Sequence, residues 1–188
     1  YGYFNYGQLG LRRADIDSTS LKNAFTLYNF NVYTNLSWKE KIGKHWRLNL
    51  GASYSNNIDK IRNVLEDQDN TEQFIAQVPY DGKSFSIKNN SDLSQIKMVL
   101  ERRLYGLSAI RFGGEYLYFT DKTDFSNRYV QHAKTDAEDH FKAGFAEADV
   151  YITNDLAAKL GGRVEHSSLL NRANIVPRAS LAYKLGKQ

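Results

Sequence analysis

The sequence predicts an all-β protein: a transmembrane, antiparallel, up-and-down β-barrel wall of about eight strands. Three observations carry this reading. In two segments joined by a basic turn, apolar residues occupy every second position: Tyr28, Phe30, Val32, Leu36 and Trp38, then Trp46, Leu48, Leu50, Ala52 and Tyr54. The intervening residues are largely polar, among them Asn29, Asn31, Asn35 and Ser37, then Arg47, Asn49, Ser53 and Ser55. A period of two over about 10 residues gives a strand one apolar and one wet face. The second observation is that long polar connections alternate with short turns along the whole chain, as outside loops and periplasmic turns do in outer-membrane barrels. The third is compositional: 13 Tyr, 10 Phe and 2 Trp among 188 residues, the aromatic load that bilayer interfaces favour.

Bulk properties exclude several other classes. Mean hydropathy is −0.57, and no run approaches the ~18 apolar residues of a transmembrane helix. A barrel escapes that test, because half of each strand is polar. The net charge of +4 is unclustered, so no basic run tracks a phosphate backbone and nucleic acid is not an expected partner. Without cysteine there is no disulfide framework or thiolate metal site. The amino terminus, Tyr1-Gly2-Tyr3-Phe4-Asn5, has no charged and apolar leader pattern and reads as a chain already within a strand. The carboxy terminus, Tyr183-Lys184-Leu185-Gly186-Lys187-Gln188, stops at what reads as a turn, so residues 1–188 are expected to be one barrel segment of a longer protein.

The first strand is placed at about Tyr1 to Leu11, followed by a polar loop from Arg12 to Asn23. Strands two and three, about Ala24 to Trp38 and His45 to Ser55, form the opening hairpin, with Gly43 supplying the tight connection. Asn56 to Ser94 reads as the longest irregular stretch, with short helical or strand excursions expected at Ile58 to Glu66 and Thr71 to Val78. Strands four and five, about Gln95 to Leu104 and Ser108 to Thr120, meet at Tyr105-Gly106-Leu107. A second polar loop, Asp121 to Asp139, leads to strands six and seven, about His140 to Ile152 and Leu156 to Glu165. In strand six Phe141 and Phe145 are odd-numbered while Ala146, Ala148, Val150 and Ile152 are even, which predicts a face-switching bulge near Phe145. Strand eight, about Val176 to Leu185, tolerates Pro177 near its entrance.

A soluble, lipocalin-like barrel also alternates, with its apolar face inward. Against it stand the charges of the polar face, such as Arg111 with Glu115 and Arg163 with Glu165, and Gly51, Gly113 and Gly161, where a solvated sheet prefers β-branched residues.

Catalytic patterns are thin. His45, His132, His140 and His166 fall at turns, loops or strand ends, outside any metal-ligand spacing. There is no GxSxG, Walker or GxGxxG motif, and no cofactor is expected. Glu66-Asp67-Gln68-Asp69-Asn70 lacks the glycine and distal glutamate of an EF-hand loop and reads as a solvated loop tip. The constellation that remains is a set of lumen- or plug-facing charges: Arg47, Arg103, Arg111, Glu115, Lys159, Arg163, Glu165 and Arg178, with Lys184 beside them. They are expected to form a salt-bridge lattice that stiffens the wall or docks an internal plug; direct contact with solute is the lesser expectation.

Three segments resemble the barrel strands of TonB-dependent outer-membrane receptors. Phe145-Ala146-Glu147-Ala148-Asp149 is similar to the family's "yae" strand, Lys159-Leu160-Gly161-Gly162-Arg163-Val164-Glu165-His166-Ser167 to its "lklGlRyEhs" strand, and Val176-Pro177-Arg178-Ala179-Ser180-Leu181-Ala182-Tyr183-Lys184-Leu185 to "sPRlslaYkl". The rest matches only in style, that of receptors of Bacteroidetes type. The resemblance implies eight strands of a 22-stranded barrel in the bacterial outer membrane, plugged by its own N-terminal domain. It implies nutrient import energised by TonB, with a surface lipoprotein lid as a further partner at the outside loops, and no catalysis. No substrate-binding residue is implied, since the matched motifs are wall motifs. The alternatives are a complete small eight-stranded barrel with a structural or adhesive role, and an outer-membrane hydrolase, for which no nucleophile and base pair is visible.

Overall fold

The computed structural model describes residues 1–186. Its strands are β1 (Gly2–Ala14), β2 (Lys22–Ile42), β3 (Trp46–Glu66), β4 (Glu72–Gln73), β5 (Phe85–Arg103), β6 (Ala109–Asn127), β7 (Ala133–Tyr151), β8 (Leu156–Ser167) and β9 (Arg172–Tyr183). They form one antiparallel sheet in the order β1-β2-β3-β5-β6-β7-β8-β9, with the two-residue β4 pairing on β3. Leaving β4 aside, each strand pairs with the next one in sequence, which is the up-and-down topology that the sequence predicts.

The described residues include almost no apolar core: only Leu21, Ala24, Leu65 and Ala109 are buried apolar residues. The predicted apolar face instead lies bare, with Leu36 and Leu181 each 72% exposed. A single-layer sheet with an uncovered apolar face is unstable in water but suited to hydrocarbon. The closed eight-stranded barrel requires β1 to pair with β9. Among the described residues that pairing does not occur, and the sheet is open.

Five strands are far longer than predicted, β2 and β3 reaching 21 residues each. At about 3.3 Å per residue this is ~70 Å, whereas about 9–11 residues cross a bilayer. The predicted loops Asn56 to Ser94 and Asp121 to Asp139 are therefore mostly strand: the true connections are 67–84, interrupted by β4, and 128–132. Ile58 to Glu66 belongs to β3 rather than to a helical excursion. With 168–171 as short as 152–155, what distinguishes the two ends of the sheet is strand extension rather than loop length.

The reason lies in a ladder of small polar side chains. Asn31, Asn57, Ser91 and Asp121 are successive register partners, and so are Asn29, Asp59, Asn89 and Thr123 one rung above. Asn29 Nδ2 donates to Asn57 Oδ1 at 3.0 Å, Asn57 Nδ2 to Asp59 Oδ2 at 2.7 Å, Asn89 Nδ2 to Asp121 Oδ1 at 2.7 Å and Ser91 Oγ to Asp121 Oδ2 at 2.6 Å. Asn and Asp disfavour strands because they bond to their own backbone; here neighbouring strands offer better partners.

At the opposite end the hairpins close tightly. Gly43 and Gly106 adopt φ of 64° and 66°, the left-handed region that side chains resist. The three hairpins end at Ile42↔Trp46, Arg103↔Ala109 and Tyr151↔Ala157. Along the ladder the second lies one residue beyond the first, and the third two residues beyond the second. A stagger of about one residue per strand is the shear that tilted barrel strands require.

Candidate functional site

Strand parity places the predicted charges on one face. The register runs Arg47↔Glu101↔Arg111↔Glu147↔Gly161↔Arg178, a single rung of alternating charge interrupted by one glycine. Arg111 Nε lies 2.8 Å from Glu101 Oε2, and its Nη1 reaches Asp149; Arg47 stands 3.7 Å from Glu101. Glu147 holds two cations, Lys159 at 3.1 Å and Arg178 at 3.0 Å.

The Glu147–Arg178 pair crosses an intervening strand, and Gly161 explains how. A Cβ there would lie 2.7 Å from the Ala146 carbonyl oxygen and 2.8 Å from Glu147 Cγ. The absent side chain leaves room for β7 and β9 to meet over β8. A second bridge uses the same device one strand back. Arg163 of β8 contacts Glu115 of β6 at 3.2 Å, with Ala143 the register residue between Glu115 and Glu165. Arg163 also binds Glu165 at 3.1 Å, and Gln95 Nε2 donates to Glu115 Oε1 at 2.5 Å.

Of the predicted residues, Arg47, Arg111, Glu115, Lys159, Arg163, Glu165 and Arg178 thus enter ionic clusters. Arg103 and Lys184 have no ionic partner among the described residues. Arg103 instead shares a small cavity of about 100 Å³ with Lys41, Lys44 and Arg47, a basic lip at the short-turn end. Glu101, Glu147, Asp149 and Gln95 complete the network although they are absent from the predicted set. Glu147 and Asp149 were hidden by the bulge expected near Phe145. No bulge exists: β7 pairs with both neighbours in unbroken register. Phe145 simply lies on the polar face with Glu147 and Asp149, its ring filling the space above Gly113.

Beyond the tight turns, at the far end, a buried ion pair ties two connections together. Lys83 Nζ lies 2.6 Å from both Asp15 Oδ2 and Asp17 Oδ2, and the Asp15 side chain is wholly buried. Tyr80 donates its hydroxyl to the Asp17 carbonyl at 2.9 Å, and Gln68 Nε2 donates to Thr19 O at 3.1 Å. Burial pushes the Asp15 carboxyl up. The Lys83 ammonium, the Asp17 amide and the Asn23 amide outweigh it and hold the group below its ordinary range. Burial likewise lowers Lys83, but hydrogen bonds to Asp15 and Asp17 raise it above the ordinary lysine value.

Fixed arginines braced by carboxylates make a rigid, polar, water-compatible wall that presents fixed charges to whatever adjoins it. Among the described residues no group of three or more His, Cys, Asp or Glu is placed to hold a metal ion. A family model described as TonB dependent receptor-like, beta-barrel, matches residues 1–188. No curated protein matches the chain.

Proposed function

Because the chain belongs to the TonB-dependent receptor-like β-barrel family, a family of outer-membrane receptors and transporters, we propose that it forms part of the wall of an active importer. The cargo is a scarce nutrient, and the energy comes from the inner membrane through TonB. The observation that carries this reading is the two-faced, single-layer sheet: an apolar face covered by nothing among the described residues, and an ionic lattice on the other. Lipid meets the first. The lattice, lumen-facing, meets the receptor's own plug domain. In this reading the sheet is an arc of the larger, 22-stranded wall, located in the bacterial outer membrane.

The tight turns at Gly43, Gly106 and 152–155 face the periplasm, and the extended ends of β2, β3, β5 and β6 stand outside the cell. There the joined connections 15–21 and 67–84 meet ligand or a lipoprotein lid. The plug docks against Arg111, Glu115, Arg163 and the basic lip around Arg103. The chemistry is gated binding and passage, without bond-making.

The test does not require knowing the cargo. Spent medium is compared, by metabolite profiling, from cells with the intact receptor, cells lacking it and cells lacking TonB. Compounds left unconsumed without the receptor are also left unconsumed without TonB. Normal consumption in the TonB-deficient cells would exclude energised import.

A further inference from the structure

The face turned away from the ionic lattice carries one feature that lipid contact alone does not explain. Lys60 of β3 and Lys88 of β5 are direct register partners, both exposed and both on the apolar side of the sheet. Like charges directly opposite each other destabilise a sheet. Neither ammonium lies within ion-pair distance of a carboxylate among the described residues. Asp124, the next register partner of Lys88, is engaged by His132 at 3.0 Å. Beside the two lysines, Tyr6, Tyr28, Phe30 and Ile58 line an open groove of about 540 Å³.

Position along the strand says what meets this groove. β8 rises from its tight turn to its outer connection in 12 residues. The same 12 residues counted from the turn ends reach Asn57 in β3 and Asp92 in β5. Lys60 stands three residues further and Lys88 four, about 8–10 Å along the normal for a strand tilted near 40°. That is the headgroup layer, within reach of a flexible lysine stem. The aromatic floor beside it is of the kind found at bilayer interfaces.

We propose that Lys60 and Lys88 together clamp a phosphate of an anionic, phosphorylated glycolipid of the outer leaflet, whose apolar part lies along Tyr6, Tyr28, Phe30 and Ile58. The anion turns a repulsive pair into a two-point site, and the lipid becomes a fixed part of the wall's outer rim. The inference rests on the outer-membrane placement of the chain and is independent of TonB coupling.

The full-length receptor, purified in detergent and stripped of lipid, is titrated with bis-phosphorylated lipid A, and retention is followed by native mass spectrometry. At about fivefold per lysine, Lys60→Gln with Lys88→Gln weakens retention about thirtyfold, whereas Lys60→Arg with Lys88→Arg keeps it. Dephosphorylated lipid A binds the intact receptor as weakly as the phosphorylated form binds the glutamine variant. Heat-modifiable migration on gels verifies that each variant is a folded barrel; loss of that migration in the intact receptor would instead indict the membrane placement. Equal retention by intact and glutamine-substituted protein overturns the proposal. So does equal binding of the dephosphorylated lipid, or full displacement of the lipid by inorganic phosphate, which would mark a free-anion site.

Discussion

At position 113 the side chain is missing because a neighbour occupies its place. The Phe145 ring lies where a Cβ would be, and the Met98 carbonyl oxygen would be only 2.9 Å from it. Gly113→Val therefore forces the ring off its seat and destabilises the barrel by roughly 2 kcal/mol. Adding Phe145→Ala removes the ring clash but not the approach to the Met98 carbonyl, so the double variant loses less than the sum of the two single losses, a non-additivity that urea unfolding in detergent detects. Additive losses would mean that the two positions do not touch. Gly161 serves charge in the way Gly113 serves a ring. Glu147 is the common partner of Lys159 and Arg178, so Glu147→Gln strands two cations. Lys159 and Arg178 are 43% and 52% exposed, and water screens them. The expected cost is about 1 kcal/mol at low salt, shrinking towards zero at high salt. A cost that persists in high salt would show that the lattice acts by packing instead.

Strands, rather than single residues, are where the sequence was both most and least legible. Alternation located most of the eight long strands and the three tight turns, because a half-buried strand must show a period of two, but it misread β7, where the expected bulge is absent. Their outer ends were invisible to the same reasoning. Asn56-Asn57, Asn89-Asn90 and Asp121 look like turn chemistry one residue at a time. Only the register shows that the rungs through Asn57, Asn89 and Asp121 supply one another's partners. The candidate charges were legible by parity. Their small-residue bridges were not, since Glu147–Arg178 and Glu115–Arg163 each join strands that are not sheet neighbours.

The outermost contact between elements yields a pH prediction. Asp15 is held below its ordinary range, so its stabilisation is present above the unfolded carboxylate value, about 3.9, and is lost as pH falls through the depressed folded value. Lys83 is raised, so its share is present below about 10.4 and is lost as pH rises through the elevated value. Protease cleavage within 67–84 is thus slow between these limits and accelerates at both extremes. Lys83→Met removes the plateau and makes cleavage fast near neutrality. Cleavage independent of pH in the intact chain would show that Lys83 does not anchor the connection.

For the whole molecule, one asymmetry organises everything else: tight turns at one end of the sheet, long polar strand extensions at the other, and an apolar band between them on one face alone. In water that arrangement would leave the band bare, because nothing among the described residues covers it. In the proposed function this band crosses the outer membrane with the tight turns inside. The most direct measurement is accessibility of single cysteines, introduced into the full-length receptor in intact cells, to a membrane-impermeant maleimide. Cysteines at 129 and 169 should label in intact cells, and one at Lys44 only after the outer membrane is permeabilised. Labelling of Lys44→Cys in intact cells, or protection at both outer sites, would contradict the account.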